Sequence, residues 1–256
     1  MGDRLTFLGH STVLIDLDGV RVLTDPLLGH LAAGAIRRQV PVVLPEMLAG
    51  LSAVFISHGH LDHLDIASLR ALPGEPALIV PVGLGRVVSR ASHGGVHEMR
   101  AGDRLQVGGL ALEAVHAEHG RRRSLFTSAE EALGLLIVGS TSLYFAGDTD
   151  LFSAMTELAG RVDVALLPVG GWAPRLGSGH MDPSRAAEAA VRIRPAIATP
   201  IHWGTLCPLG LRRLAGRWFE SPGEAFREAV AARAVGIDVH ILQPGQSMPL
   251  GGSDER

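Results

Sequence analysis

The sequence has only one cysteine and no long apolar run, and each of these scarcities excludes a class of protein. One cysteine in 256 residues cannot form an internal disulfide, which is typical of the reducing cytoplasm rather than of a secreted disulfide scaffold. Apolar runs such as Ala77–Val80 are far shorter than the roughly 20 residues of a membrane-spanning helix. Residues 1–5 lack a signal-peptide pattern. We therefore expect a cytoplasmic protein without membrane insertion.

Charge and composition favour a compact protein that does not bind nucleic acid. Lysine and arginine together number 23 and acidic residues 26, which gives a net charge of −3, so no overall attraction to nucleic acid is expected. Hydrophobic residues make up 46% and charged residues 19%, a balance that supports a packed core and not disorder. No linker or low-complexity segment divides the chain, so we expect one domain over residues 1–256.

Two hairpins predict a repeated architecture. Four apolar runs around turns are predicted to be strands: residues 12–17, 20–23, 135–138 and 143–146. Asp18-Gly19 is a hairpin-turn signal between the first two. Each hairpin ends at an aspartate, Asp25 or Asp148, so both carboxylates are predicted to lie at one sheet edge. The alternative is that two short hairpins resemble each other by chance.

Two helices are predicted in the second half of the chain. Asp182 and Pro183 supply an N-cap and a first-turn proline. Ser221 and Glu224 form a capping-box pattern for the second helix, which we expect to end at Gly236. Residues 197–201 and 237–242 read as strands after these helices. Strands and helices interleave with hairpins throughout, which predicts a mixed α/β sandwich rather than a purely parallel sheet.

The segment His58-Gly59-His60-Leu61-Asp62-His63 directly follows a short apolar run and carries the strongest chemical signal. Histidines one residue apart on a turn can direct both rings at one ion, and Asp62 and His63 are close enough for a second. Imidazole and carboxylate are ligands of zinc-class metals. The alternative is a solvated, histidine-rich turn. Further ligands are required, and candidates stand at predicted strand ends: His116, His119, Asp148 and His202.

These residues resemble the motifs of the metallo-β-lactamase superfamily over nearly the full length. The matching segments are Thr24-Asp25-Pro26, His58–His63, a later lone histidine, Gly147-Asp148-Thr149 and Pro200–Thr205. LGHSTVLIDLDGVRVLTDPL, FAGDTDLF and GHMDP also resemble the branch with ascorbate-6-phosphate lactonase and the N-acylphosphatidylethanolamine phospholipase D-like hydrolases. The resemblance implies an α/β fold, a four-layer αββα sandwich of two similar halves.

The resemblance also implies ligands for two divalent ions, zinc above all, with manganese or iron as alternatives. The implied ligands of the first ion are His58, His60 and the lone histidine; those of the second are Asp62, His63 and His202; and Asp148 bridges the two. The branch usually has a small residue two positions before the lone histidine and a glycine or small polar residue after it. Ala117-Glu118-His119-Gly120 fits that pattern, so we expect His119 as the ligand and His116 as a pocket residue or a support behind the ligands.

Several other residues have two readings each. Asp25 is implied to support the histidine loop by a hydrogen bond, or it simply starts an Asp-Pro turn. His180 contacts the substrate or protonates the leaving group, or it makes a structural contact at the helix start. Arg123, with the two arginines before it, attracts an anionic substrate or forms a solvated face. His10 supports the site or is structural.

The implied function is hydrolysis by a metal-bridging hydroxide of a phosphodiester, lactone or ester bond in a small, anionic substrate. Asp148, Asp62 and His180 are the residues to which we assign catalytic roles. The alternatives are a metal-binding or sensing protein without catalysis and an RNA-processing nuclease, although the latter normally carries a large extra domain and a basic surface. We expect a small-molecule substrate and no nucleic acid, and assembly into a homo-oligomer stays open.

Overall fold

The computed structural model describes residues 2–32, 36–38, 43–91, 94–120, 131–171, 176–210, 219–233 and 236–251. Its strands, in chain order, are β1 (Arg4–Gly9), β2 (Thr12–Leu17), β3 (Val20–Thr24), β4 (Leu31–Ala32), β5 (Ile36–Arg38), β6 (Ala53–Phe55), β7 (Ala77–Pro81), β8 (Val96–Met99), β9 (Arg104–Val107), β10 (Leu110–His116), β11 (Leu133–Val138), β12 (Ser142–Phe145), β13 (Val164–Pro168), β14 (Ile197–Ile201), β15 (Leu206–Pro208), β16 (Asp238–Val239) and β17 (Ser247–Pro249). Its α-helices are α1 (Ile66–Ala71), α2 (Gly85–Val88), α3 (Pro183–Ile193) and α4 (Pro222–Ala231). Two 3₁₀ segments cover Pro45–Leu48 and Ser153–Leu158. None of the helices in these ranges has both the length and the apolar character needed to cross a bilayer.

Two seven-stranded sheets share one pairing pattern. The first has the order β17-β1-β2-β3-β6-β7-β8 and the second the order β16-β14-β13-β12-β11-β10-β9. In the first, β1, β2 and β3 are antiparallel neighbours, after which β3, β6, β7 and β8 run parallel. In the second, β10, β11 and β12 are antiparallel, and β12, β13, β14 and β16 run parallel. The two predicted hairpins therefore occupy equivalent places in two similar halves, with Asp25 after β3 and Asp148 after β12.

The alternation of side chains along the strands produces four layers. One buried cluster joins the inner faces of the two sheets, where the rings of Phe55 and Phe145 meet edge to face at 6.1 Å. A second cluster packs the outer face of the first sheet against residues of α1 and α2, among them Leu69 and Val88. A third packs the other sheet against α3 and α4. The predicted αββα sandwich is confirmed.

The ends of the late helices differ in part from the sequence prediction. Asp182 caps α3 as expected, because its side chain accepts a hydrogen bond from the Arg185 backbone N–H. Ser221 precedes α4, but its side chain makes no capping hydrogen bond. The helix ends at Ala231 and not at Gly236. The predicted strand over residues 237–242 is also too long, because only Asp238–Val239 pairs with β14.

A small third sheet lies beside the two large ones. Its order is β15-β5-β4, which joins the segment after β3 to the segment after β14. These strands are two or three residues long, and the sequence analysis did not predict them.

Candidate metal centre

The loops that follow the parallel strands carry the predicted ligands to one edge of the sandwich. Asp25 follows β3 and the histidine loop follows β6 in the first sheet, whereas Asp148 follows β12 and His202 follows β14 in the second. The structure brings all seven predicted ligands together in two groups whose ligand atoms lie within 4.8 Å of one another. The first group is His58, His60, His119 and Asp148, and the second is His10, Asp62, His63 and His202.

Asp148 lies between the two groups. Its Oδ2 is 3.3 Å from His63 Nε2 and 4.0 Å from His58 Nε2. Its Oδ1 is 3.1 Å from His202 Nε2, without the geometry of a hydrogen bond. This carboxylate therefore faces histidines of both groups, as a bridging ligand must.

Backbone carbonyl oxygens orient two of the histidines. His119 Nδ1 donates to the carbonyl oxygen of Gly179 at 2.7 Å, and His202 Nδ1 donates to that of Gly170 at 2.8 Å. In both rings the other nitrogen, Nε2, faces the cluster. A neutral imidazole that donates at Nδ1 keeps an electron pair on Nε2, and fixing the outer nitrogen in this way is typical of metal-binding histidines.

Asp25 orients the histidine loop from behind. Its Oδ1 accepts from the Ser57 backbone N–H at 2.7 Å, and its Oδ2 accepts from His63 Nδ1 at 2.7 Å and from Ser57 Oγ at 2.6 Å. Ser57 Oγ also lies 2.9 Å from His58 Nδ1, so one fully buried carboxylate supports two histidines. The sequence analysis did not single out Ser57, although a hydroxyl residue between the buried strand and His58 was a usable signal.

Burial keeps most of these histidines neutral. It lowers the pKa of His60 to about 4 and lowers the pKa of His119. The pKa values of His58 and His202 fall well below the ordinary histidine value, again mainly because of burial. Neutral imidazole is the form that binds a metal ion, so these four rings are ready ligands at neutral pH.

The centre of the cluster favours positive charge. Burial alone would lower the pKa of His63, but the carboxylates of Asp148, Asp62 and Asp25 raise it well above the ordinary value. Conversely, burial would raise the pKa of Asp148, but His202 and His63 hold it well below its usual range. The carboxylates of this cluster call for compensating positive charge, and divalent cations would supply it.

Two buried atoms of the cluster support a fit to metal ions. His58 Nε2 and Asp148 Oδ1 are buried and make no hydrogen bond within the described structure. Leaving a buried polar atom unpaired costs about 1–3 kcal/mol, and coordination would satisfy both atoms. The donor set of imidazoles and carboxylates is the one that zinc-class ions prefer. The residues therefore fit two such ions.

Backbone strain is concentrated at the same edge. Among the described residues, five non-glycine residues have positive φ. Asp18 belongs to the predicted hairpin turn and Arg194 is the left-handed C-cap of α3. The other three are His10, Asp25 and His202, with φ of 58°, 35° and 63°. Such conformations cost about 1–3 kcal/mol each and persist where the surroundings enforce them.

The remaining predicted residues lie in different places. His180 Nε2 is 3.3 Å from Asp148 Oδ2, and its side chain is 14% exposed. Burial would lower the pKa of His180, but its hydrogen bond to Asp148 raises it above the ordinary value. His116 lies outside the cluster: its side chain is 53% exposed and lies near Glu118 and Phe152. Arg123 and its two arginine neighbours fall outside the described residues.

Comparison with known proteins agrees with this geometry. The family described as "Beta-lactamase superfamily domain" matches residues 20–203. A UPF0173 metal-dependent hydrolase of Methanopyrus kandleri is 31% identical over 255 residues, which cover 95% of this chain and 98% of the relative. The N-acyl-phosphatidylethanolamine-hydrolyzing phospholipase D 1 of Caenorhabditis elegans is 30% identical over 253 residues, covering 89% of this chain and 70% of the relative.

Solved structures show the same fold. Igni18, a metallo hydrolase of the archaeon Ignicoccus hospitalis, has a TM-score of 0.73 at 21% identity and covers 99% of this chain and all of its own. The metallo-β-lactamase fold protein YhfI of Bacillus subtilis has a TM-score of 0.67 at 16% identity and covers 96% of this chain and 98% of its own. The chain belongs to the metallo-β-lactamase superfamily. Within it, the chain is one of the metal-dependent hydrolases.

Proposed function

We propose that the protein is a binuclear hydrolase whose two zinc-class ions are held by the two groups described above. Manganese and iron are the alternative metals. The observation that carries the proposal is the position of Asp148, which lies 3.3 Å from His63 and 3.1 Å from His202 while its ligand atom also groups with His58, His60 and His119. A carboxylate shared in this way suits two neighbouring cations.

The protein's own residues prepare the site for hydrolysis. Bound ions of this kind supply a water of lowered pKa and stabilise the charge that develops on the attacked group. Asp148 holds the two ligand groups at a fixed spacing. Asp25 and the carbonyl oxygens of Gly170 and Gly179 fix the rotation of three histidine rings, so the ligands need little rearrangement before reaction.

We propose that His180 donates the proton that the leaving group requires. Its ring is partly exposed, borders Asp148 and is held by the Gly177 carbonyl oxygen at 3.2 Å. A histidine in this position, partly exposed and beside both ligand groups, is placed to act as a general acid.

Replacing His180 by alanine is expected to lower kcat by about 10²–10⁴-fold for substrates with an alkoxide leaving group, the usual contribution of a general acid. The loss should be much smaller for a nitrophenolate leaving group, which departs without a proton. Steady-state rates on the two substrate types measure this difference. His240→Ala is the matched control, because His240 pairs with the exposed Asp238 and is not in either ligand group. Equal losses on both substrate types would exclude proton donation by His180.

The proposed substrate is a small anionic molecule with a phosphodiester, lactone or ester bond. The phosphodiester ranks first because a relative 30% identical is named as a phospholipase D. The test is a panel of phosphodiesters, phosphorylated lactones, acyl lactones and β-lactams with zinc, manganese or iron. We expect metal-dependent turnover in one of the first three classes. A metal-loaded protein that hydrolyses none of them would contradict the proposal.

We also propose that residues 1–256 form one domain that acts in the cytoplasm. One domain is supported by the pairing of β1 with β17, which come from opposite ends of the described chain and place Leu5 opposite Met248 in one sheet. The cytoplasmic location is supported by the single cysteine, Cys207, which is buried and forms no disulfide.

A further inference from the structure

We propose that His10 is a positioning residue that holds Asp62 and His202 in place for the second metal ion. The proposal rests on the proposed function, because it presupposes that Asp62, His63 and His202 bind an ion. The sequence alone leaves two roles open for His10, support of the site or a purely structural role.

The side chain of His10 meets the carboxylate of Asp62. His10 is almost fully buried, and its Nε2 lies 3.1 Å from Asp62 Oδ2. The nearest atoms of His63 and His202 are farther from that oxygen, at 3.7 Å and 3.9 Å. Across the part of the chain that the structure describes, this is the one side-chain hydrogen bond found for Asp62. It therefore sets the rotation of the carboxylate.

The second contact of His10 is with His202. The two rings pack with their centroids 4.0 Å apart at an interplanar angle of 39°. The His202 backbone N–H donates to the His10 carbonyl oxygen at 2.9 Å, and the His10 N–H donates to Thr205 Oγ1 at 2.8 Å. His10 thus ties the end of β1 in the first sheet to the end of β14 in the second.

The other groups that orient the candidate ligands do not contact Asp62. His63 is oriented by Asp25, and His202 and His119 by backbone carbonyl oxygens. None of these supports reaches Asp62, and the buried Nε2–H of His10 donates to its carboxylate. The backbone of His10 is left-handed, with φ of 58°, and such strained conformations are concentrated at functional sites.

The test is metal titration of the full chain after metal removal. In His10→Ala we expect the dissociation constant of the second ion to rise by about 10–100-fold, the usual effect of losing the partner of a ligand, with the first ion little affected. Zinc binding is followed by calorimetry, and cobalt binding by its visible absorption, which reports the coordination geometry of the ions as they bind. His10→Gln should recover much of the affinity, because its amide reaches as far as the imidazole Nε2.

The alanine and glutamine variants both have a side chain on the strained backbone at position 10. The difference between their dissociation constants for the second ion therefore reports the hydrogen bond to Asp62. His240→Ala, at a partly exposed histidine outside both ligand groups, is the control for the loss of any histidine. Unchanged second-ion affinity and cobalt spectrum in His10→Ala would overturn the proposal. Equally weakened binding of both ions in the alanine and glutamine variants would also overturn it, because that result indicates a purely structural role. A wild-type chain that takes up only one ion would instead contradict the proposed binuclear function.

Discussion

Replacement of Asp148 by asparagine is expected to lower metal-dependent hydrolysis by about a hundredfold to a thousandfold, which corresponds to about 3–4 kcal/mol of lost charge stabilisation. Asparagine has the same shape but no negative charge. It also directs an amide group at one of the neighbouring histidines, His63 or His202, each of which lies within 3.3 Å of the carboxylate. We expect both proposed ion positions to be affected at once, because Asp148 faces histidines of both groups.

The measurement is the metal-dependent rate of Asp148→Asn beside its metal content and its thermal unfolding midpoint. The folded state should persist, because the substitution preserves side-chain volume in a closely packed site. Asp238→Asn, at an exposed carboxylate paired with His240, should retain full activity. Wild-type turnover by Asp148→Asn would exclude Asp148 as the bridging residue.

Replacement of Asp25 by alanine is expected to lower the free energy of unfolding by about 3–5 kcal/mol. The Ser57 N–H, the Ser57 hydroxyl and His63 Nδ1 all donate to this carboxylate at 2.6–2.7 Å. All three donors would stay buried without an acceptor. Metal affinity should also fall by about 10–100-fold, because His63 and, through Ser57, His58 lose their orientation.

Urea unfolding with and without added zinc measures both effects of Asp25→Ala. Asp238→Ala is the matched control, an aspartate in an exposed pair whose loss should change the unfolding free energy little. An unfolding free energy equal to that of the wild type would mean that Asp25 only starts the turn before Pro26. That outcome would remove the support we assign to the histidine loop.

The sequence predicted the main strands and the loops that carry the candidate ligands because their signals are local. Asp18-Gly19 has positive φ at both residues, as its hairpin signal requires. The aspartates at the ends of the two hairpins indicated the internal repeat before the sheet order showed it. His119 rather than His116 lies in the cluster, in agreement with the branch pattern of a small residue two positions before it and a glycine after it.

Other features could not be predicted because they depend on distant parts of the chain. The carbonyl oxygens of Gly170 and Gly179 orient His202 and His119, but a backbone acceptor has no side-chain signature. The role of His10 depends on Asp62, which is 52 residues away in sequence. The third sheet consists of strands of two or three residues, too short for a periodic pattern to indicate.

The most direct test of the proposed binuclear centre is the number of metal ions bound per chain, measured by elemental analysis of the purified protein after loading with zinc. The account predicts two ions in the wild type. It predicts one ion in His119→Ala, which removes a ligand of the first group, and one in His202→Ala, which removes a ligand of the second. A wild-type chain that binds no zinc, manganese or iron at neutral pH, or that keeps two ions in both variants, would contradict it.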